Sequence, residues 1–244
     1  MHILTRISKG ELKGLLFYVN PRYEPGYFYG DHEPWVQEIM KKYLKKDDTF
    51  YDIGAHKGFF TLLASKLVKE NGKVIAFEPD RRNLGILKLN VQQNKLNNVE
   101  IIDKAVWSFS GEVIFKKANE YSNWTESKVI NEKEIDKSNE IEKIFSISLN
   151  DYVFKEKKNP PKFIKIDVEG GEFEVLKGAD KVLNAFHPII LCEIHNLKML
   201  DEILSYLKNF KYDVEIFSPV HPRYKDYKQH YILCIFKNEN TYYF

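Results

Sequence analysis

The stretch Phe50 to Phe60, FYDIGAHKGFF, decides the fold. An apolar strand ends at Asp52 and turns through Gly54 and Gly58 directly into a helical pattern. Glycine at these points lets the backbone bend sharply and lets a ligand approach main-chain amides, against which a branched Cβ would press. The next strand ends in Phe77, Glu78 and Pro79. A carboxylate at the tip of a second strand is placed to accept both hydroxyls of a nucleoside ribose. A tight turn followed by a surface glutamate is the plainer reading. The strand before, the helix after and the acid downstream favour a ligand site over it.

Outward from this turn, β-branched and aromatic runs predict strands at Thr49–Ile53, Lys73–Phe77, Val99–Ile102, Lys162–Asp167, Ile189–Glu193, Asp213–Phe217 and Tyr231–Phe236. Apolar stripes at helical spacing predict helices at Trp35–Tyr43, Phe60–Lys69, Asn83–Asn94, Gly171–Leu183 and Leu197–Asn209. Alternation of this kind implies α/β architecture with right-handed crossovers. The expected fold is a Rossmann-like, doubly wound, seven-stranded and mostly parallel sheet. Its last strand is antiparallel, because SPVHPRYKDYKQH replaces a crossover helix with a loop. Residues 1–34 read as a short N-terminal cap and 35–244 as the α/β domain. Residues 116–143 are polar and charge-rich, an insert of the kind that covers a ligand crevice.

The chain has 244 residues, with 37 Lys plus Arg against 35 Asp plus Glu. That length suits one globular domain needing no disulfide or metal staple. Cys192 and Cys234 sit in apolar runs and read as buried free thiols of a reducing compartment. No apolar run reaches membrane-span length and the opening MHILTRISKGELKG lacks a signal-peptide centre, so a cytoplasmic location is expected. A net charge of +2 argues against a nucleic-acid partner, although Lys41–Lys46 and Lys155–Lys158 are local basic tracts. Asn159-Pro160-Pro161 reads as a loop ahead of a strand, and the histidines His221 and His230 match no zinc spacing.

Counting from Gly54, the middle and final positions of a dinucleotide fingerprint hold His56 and Phe59, not glycine. The pattern of acid, x, Gly, three residues, Gly instead resembles the first motif of class I S-adenosylmethionine-dependent methyltransferases. From Phe50 to about His195 the chain is similar to the FkbM family. The motifs are DIGAHKGFFT at Asp52–Thr61, FEPD at Phe77–Asp80, KAV at Lys104–Val106, SLNDY at Ser148–Tyr152, KIDVEGGEFEVLKGA at Lys165–Ala179 and CEIH at Cys192–His195. Upstream, His32-Glu33-Pro34 resembles the acidic start of the family's leading helix. The resemblance implies S-adenosyl-L-methionine as cofactor, held by Asp52, Gly54, His56, Gly58, Glu78, Pro79, Ala105 and Asp167. Asp52 would lie near the amino group and Glu78 on the ribose; His56 departs from the commonest middle glycine. It also implies O-methylation of a saccharide or small natural product, with an RNA-modifying methyltransferase as the competing reading.

At the carboxyl ends of the fourth and fifth strands Asp167, Glu169, Glu193 and His195 converge. Methyl transfer from a sulfonium needs an aligned hydroxyl and a group to take its proton. His195, with an ordinary pKa near 6.5, is the expected general base, oriented by Asp167 or Glu193. The same four residues could ligate Mg2+, but nothing in their spacing demands a metal over hydrogen bonds. Tyr18, Tyr23, Tyr27, Tyr29 and Trp35, with Tyr121 and Trp124 of the insert, are expected to cover the acceptor. Their equal alternative is to fill the interface between cap and core, or a contact between two copies in a homodimer.

Overall fold

A computed structural model describes residues 2–117, 127–130, 134–135, 140–220 and 229–237. The chain opens with β1 (Ile3–Arg6), β2 (Leu16–Val19), α1 (Pro25–Tyr29) and α2 (Pro34–Tyr43). The alternation follows as β3 (Thr49–Ile53), α3 (Phe59–Val68), β4 (Lys73–Phe77), α4 (Arg81–Gln93) and β5 (Val99–Ile102). Four strands interrupt it: β6 (Ala105–Val106), β7 (Gly111–Lys116), β8 (Lys128–Ile130) and β9 (Ile141–Ile147). A π-helical turn at Asp151–Lys155 leads to β10 (Phe163–Ile166), α5 (Glu172–Lys177), α6 (Asp180–Phe186) and β11 (Ile189–Glu193). Last come α7 (Leu200–Lys208), β12 (Tyr212–Phe217) and β13 (Tyr231–Phe236).

The main sheet is mixed, in the order β12-β13-β11-β10-β3-β4-β5. The pairs from β11 to β5 are parallel, and β13 runs antiparallel to both β11 and β12. The chain moves outward from β3 through β4 to β5, then returns to lay β10 on the other side of β3. That reversal opens a crevice beyond the carboxyl ends of β3 and β10.

Strand periodicity explains why the sheet is buried on both faces. In β3, Tyr51 and Ile53 enter one apolar cluster with Val175, Val182 and Ile203 from α5, α6 and α7, whereas Phe50 enters the other with Val36, Leu62 and Leu63 from α2 and α3. Helix starts are chemically marked. Pro34 opens α2, Asp80 caps α4 by accepting from Arg82 N at 2.9 Å, and Gly58 precedes α3 in the left-handed region at φ +88°.

Two expectations need correction, and the packing of a third segment adds detail. Gly171–Leu183 is two helices, because Asn150 Oδ1 accepts from the amides of Lys181 and Val182 at 3.0 and 3.3 Å and restarts the helix after Gly178. The stretch beginning at residue 116 is not simply a polar insert: β7, β8 and β9, with β6, form a second sheet in the order β6-β9-β7-β8. Residues 1–34, expected as a short N-terminal cap, pack into the core and supply Tyr23, Tyr27 and Glu33 to the cavity lining. Ile7, Leu12, Phe17, Val19 and Tyr27 are buried in the same cluster as α3, and β2 is fastened to α4 by Asn90 and Asn94, whose side-chain oxygens accept from Tyr18 N and Leu16 N at 2.7 and 2.9 Å. Cys192 and Cys234 are buried free thiols, and among the described residues no helix is long and apolar enough to cross a membrane.

Candidate active site

The crevice holds a cavity of about 480 Å³, within the range of small-molecule sites. Of the expected cofactor residues, Gly54, His56, Glu78, Pro79, Ala105 and Asp167 line it. Asp52 and Gly58 do not. Asp52 is fully buried; its Oδ2 accepts from Thr61 Oγ1 at 2.6 Å and its Oδ1 lies 4.0 Å from Lys165 Nζ without a hydrogen bond. It ties the end of β3 to the start of α3, and burial holds its pKa above the ordinary value. Gly58 is favoured by its left-handed φ of +88°, and a Cβ there would also press on the Leu87 Cδ1 methyl at 2.4 Å, the movable end of a flexible side chain. Gly54, at φ +78°, is required by packing as well: its Cβ would fall 1.8 Å from the carbonyl oxygen of Asp167. Neighbouring backbone, rather than an approaching ligand, excludes a side chain there.

Glu78 terminates β4 at the cavity wall. Its Oε2 accepts from His56 N at 2.7 Å and its Oε1 from Asp80 N at 2.8 Å. The glycine turn and the α4 cap thereby fix the carboxylate, leaving on each oxygen a second lone pair for a ligand hydroxyl. Burial raises its pKa to about 8. His56 takes a left-handed φ of +51° and brings its Nδ1 3.0 Å from Tyr27 Oη. Burial, with Lys57 nearby, depresses its pKa to about 3, so the ring is neutral.

The other half of the cavity is acidic. Asp167, Glu169, Glu193 and His195 all line it, as the sequence led us to expect. His195 Nδ1 lies 2.8 Å from Glu172 Oε1, while Nε2 lies 3.3 Å from Glu169, 3.7 Å from Asp167 and 3.7 Å from Glu193. Burial alone would depress the imidazole pKa, but the Glu172 hydrogen bond and the three carboxylates outweigh it and lift it to about 10. At neutral pH the ring therefore carries two protons in the ligand-free cavity. The surrounding carboxylates thus favour the protonated ring over the neutral imidazole expected from the sequence.

Four residues were missed as site residues. Lys165, 3% exposed, lies 3.0 Å from Asp167 Oδ2 and over the Phe60 ring. Burial would lower its pKa, but Asp167, Asp52 and Glu33 raise it, so it stays charged. Asp167 shows the converse: burial is outweighed by Lys165 and His195, and its pKa falls below the ordinary value. Glu33 and Gln229 come from distant parts of the chain. Gln229 Nε2 donates to Glu33 Oε1 at 3.2 Å and to Glu193 Oε1 at 3.0 Å, while Glu33 Oε2 and Gln229 Oε1 are buried without hydrogen-bond partners. Glu172 anchors His195 from α5. Only the downstream EFEVLKG pattern placed Glu172 near this edge; Gln229 lies in a loop with no readable signal.

The aromatic cover is partial. Tyr27 is buried, stacks on Phe59 at 5.5 Å and lines the cavity; Tyr23 lines the rim. Tyr18, Tyr29 and Trp35 do not line it, and Tyr121, Trp124 and His221 lie outside the described residues. Asn159 sits at the opposite end of the sheet, where its carbonyl accepts from Tyr51 Oη at 2.6 Å, and His230 Nδ1 contacts Ser218 Oγ at 2.7 Å.

Comparison with known proteins shows the family and the fold. The methyltransferase FkbM domain matches residues 52–214. Hexuronic acid methyltransferase AglP of Haloferax volcanii is 28% identical over 181 residues, covering 74% of this chain and 70% of that protein. The probable cobalt-precorrin-6B C(15)-methyltransferase of Sulfurisphaera tokodaii is 46% identical over 68 residues, 28% of this chain and 35% of its own length. The chain thus spans about a third or less of the first curated relatives it matches. The structure of methyltransferase FkbM from Methylobacillus flagellatus shares the fold, with a TM-score of 0.56 at 17% identity, covering 87% of this chain and 48% of that one.

Proposed function

This chain belongs to the FkbM family of S-adenosylmethionine-dependent methyltransferases, and we propose that it transfers the methyl group of S-adenosylmethionine to a hydroxyl of a saccharide or small natural product. The observation that carries the reading is Glu78, pinned by two backbone amides at the wall of a cavity whose far side is acidic. In this reading the ribose hydroxyls donate to Glu78, and the methionine part runs past Gly54 and His56 towards Asp167. The methyl group would then face Glu33, Asp167, Glu169 and Glu193, whose carboxyl oxygens suit a hydroxyl-rich partner, with Lys165 and His195 as the cations among them.

The proton goes to Glu33. A proton acceptor needs a free lone pair facing the substrate and a pKa drawn towards neutrality. Glu33 Oε2 has no hydrogen-bond partner, and burial followed by the Asp167 charge raises the pKa of Glu33. His195 then acts by position, with Asp167, Glu193 and Glu169, holding the acceptor in line with the methyl carbon and sulfur.

Two observations favour a saccharide over RNA. The relative aligned over the longest part of the chain among those described above is named a hexuronic acid methyltransferase. Within the basic tracts three lysines are also paired with acids: Lys41 lies 2.9 Å from Glu38, Lys155 2.9 Å from Asp151 and Lys158 2.7 Å from Glu100. The test uses methyl-labelled S-adenosylmethionine with a saccharide panel and, separately, total RNA. The reading expects label in a saccharide as a base-stable ether; label in RNA alone would replace it with the nucleic-acid reading.

A further inference from the structure

We propose that Asp167, Glu193 and His195 bind a divalent cation on the acceptor side of the cavity, an inference that rests on the methyl-transfer reading for its role but not for its existence. One ligand atom from each of the three lies within 4.8 Å of the others. His195 Nε2 is 3.7 Å from both Asp167 Oδ1 and Glu193 Oε1. An ion about 2.1 Å from each atom of either of these pairs would subtend roughly 120°, and the two carboxylate oxygens, within 4.8 Å of each other, must lie no more than about 4.2 Å apart for one ion to reach both.

What separates this cluster from an ordinary acidic patch is that every ligand is fixed by a different partner on its remote atom. His195 Nδ1 meets Glu172 Oε1 at 2.8 Å, and that oxygen also accepts from Gly170 N at 2.8 Å. Asp167 Oδ2 meets Lys165 Nζ at 3.0 Å, and Glu193 Oε2 accepts from Tyr231 Oη at 3.1 Å. Ion binding would release the second imidazole proton to solvent and bring together Nε2, Oδ1 and the remaining lone pair of Oε1, which also accepts from Gln229 Nε2 at 3.0 Å. A carboxylate on the far nitrogen is the usual support of a metal-binding histidine, because it fixes the tautomer and ring orientation.

An independent observation points to the same place. Gln229, 7% exposed, holds Glu193 Oε1 through Nε2, yet its own Oε1 has no partner. A buried amide oxygen left unpaired on the wall of a charged cavity suits a water carried by the ion. Glu169 Oε2, 3.3 Å from Nε2, adds a further carboxylate at the open side. One imidazole nitrogen with two carboxylate oxygens suits Mn2+ better than Ca2+, which prefers six to eight oxygens. Bound there, the ion would lower the pKa of a coordinated acceptor hydroxyl and so ease proton loss to Glu33.

The experiment titrates chelator-treated wild-type protein with Mn2+, followed by electron paramagnetic resonance. Saturable binding in the micromolar range is expected, with pulsed measurements detecting a directly bonded imidazole nitrogen. Glu172→Gln should weaken it about 10- to 100-fold. No saturation up to about 1 mM, or ligation by oxygens alone, overturns the site; the nitrogen signal is read on wild-type protein, so misfolding of a variant does not decide the matter. S-adenosylhomocysteine calorimetry on the same sample reports separately. Cofactor binding without Mn2+ binding keeps the methyl-transfer reading and removes the ion, whereas Mn2+ binding without cofactor binding keeps the ion and removes that reading.

Discussion

Gly54→Ala tests how the glycine turn builds the site. Alanine would hold φ near +78°, which costs about 1–2 kcal/mol for a residue with a Cβ. Its Cβ would lie 1.8 Å from the Asp167 carbonyl oxygen, against the 3.4 Å where ordinary contact begins, so backbone must move by about 1.6 Å (3.4 − 1.8). The moving partner is the end of β10, which carries Asp167. Conformational strain and displacement together should destabilise the fold by about 3 kcal/mol, lowering Tm by about 6–12 °C for a chain of this size. The same displacement shifts Asp167 by more than an ångström, enough to lower turnover by about 100-fold. Thermal unfolding and initial-rate assays read the two effects. If Tm stays at the wild-type value and only cofactor affinity falls, the glycine serves ligand approach and the packing argument is refuted.

Three other perturbations follow from the structure. His56 has a folded pKa of about 3 against 6.5 unfolded, so its contribution to stability is complete above pH 6.5 and is lost as pH falls towards 3. That loss is about 2 kcal/mol by pH 5 (1.5 units below 6.5), and in urea titrations His56→Asn, which tolerates the left-handed φ, should flatten it; an unchanged pH profile would assign the loss elsewhere. Lys165→Met removes the cation between Asp52 and Asp167 while keeping the side-chain length, and should cost about 3–5 kcal/mol in chemical denaturation; a neutral outcome would mean that the two carboxylates need no counter-charge. Deleting residues 1–30 strips Ile7, Leu12, Phe17, Val19 and Tyr27 from the core, about 8–15 kcal/mol of burial and comparable to total stability. Circular dichroism should show an unfolded product, and a cooperative transition at the wild-type Tm would make the segment a dispensable cap.

The alternation of the main sheet was readable because its parallel strands are buried on both faces and appear as short apolar runs such as Phe163–Ile166. The acids at their carboxyl ends were readable for the same reason: the strand ends where the charge begins, as at Asp167 and Glu193. The second sheet was not. β7 interleaves buried with half-buried residues and the first five residues of β9 alternate exposed with half-buried, and Glu142, Lys143 and Glu112 make these strands look like a charged surface segment. Asp52 looked like a ligand contact because it follows an apolar run, yet Thr61 and Lys165 close over it. Protonation states were least readable. His195 takes its elevated pKa from Glu172, Asp167, Glu169 and Glu193, which converge only through tertiary structure. Glu33 and Gln229, 196 residues apart, meet for the same reason.

The central claim is that the Glu78 wall of the cavity holds the ribose of S-adenosylmethionine. Isothermal titration of S-adenosylhomocysteine into wild-type protein and Glu78→Gln, with NAD as control, tests it most directly. The account predicts micromolar binding to the wild type and no response to NAD. Measured at pH 9, above the Glu78 pKa of about 8, Glu78→Gln, which keeps one acceptor but loses the charge-assisted bonds, should bind about 10- to 150-fold more weakly, equivalent to roughly 1.5–3 kcal/mol. Equal affinity in wild type and variant, or heat from NAD in place of S-adenosylhomocysteine, would contradict it.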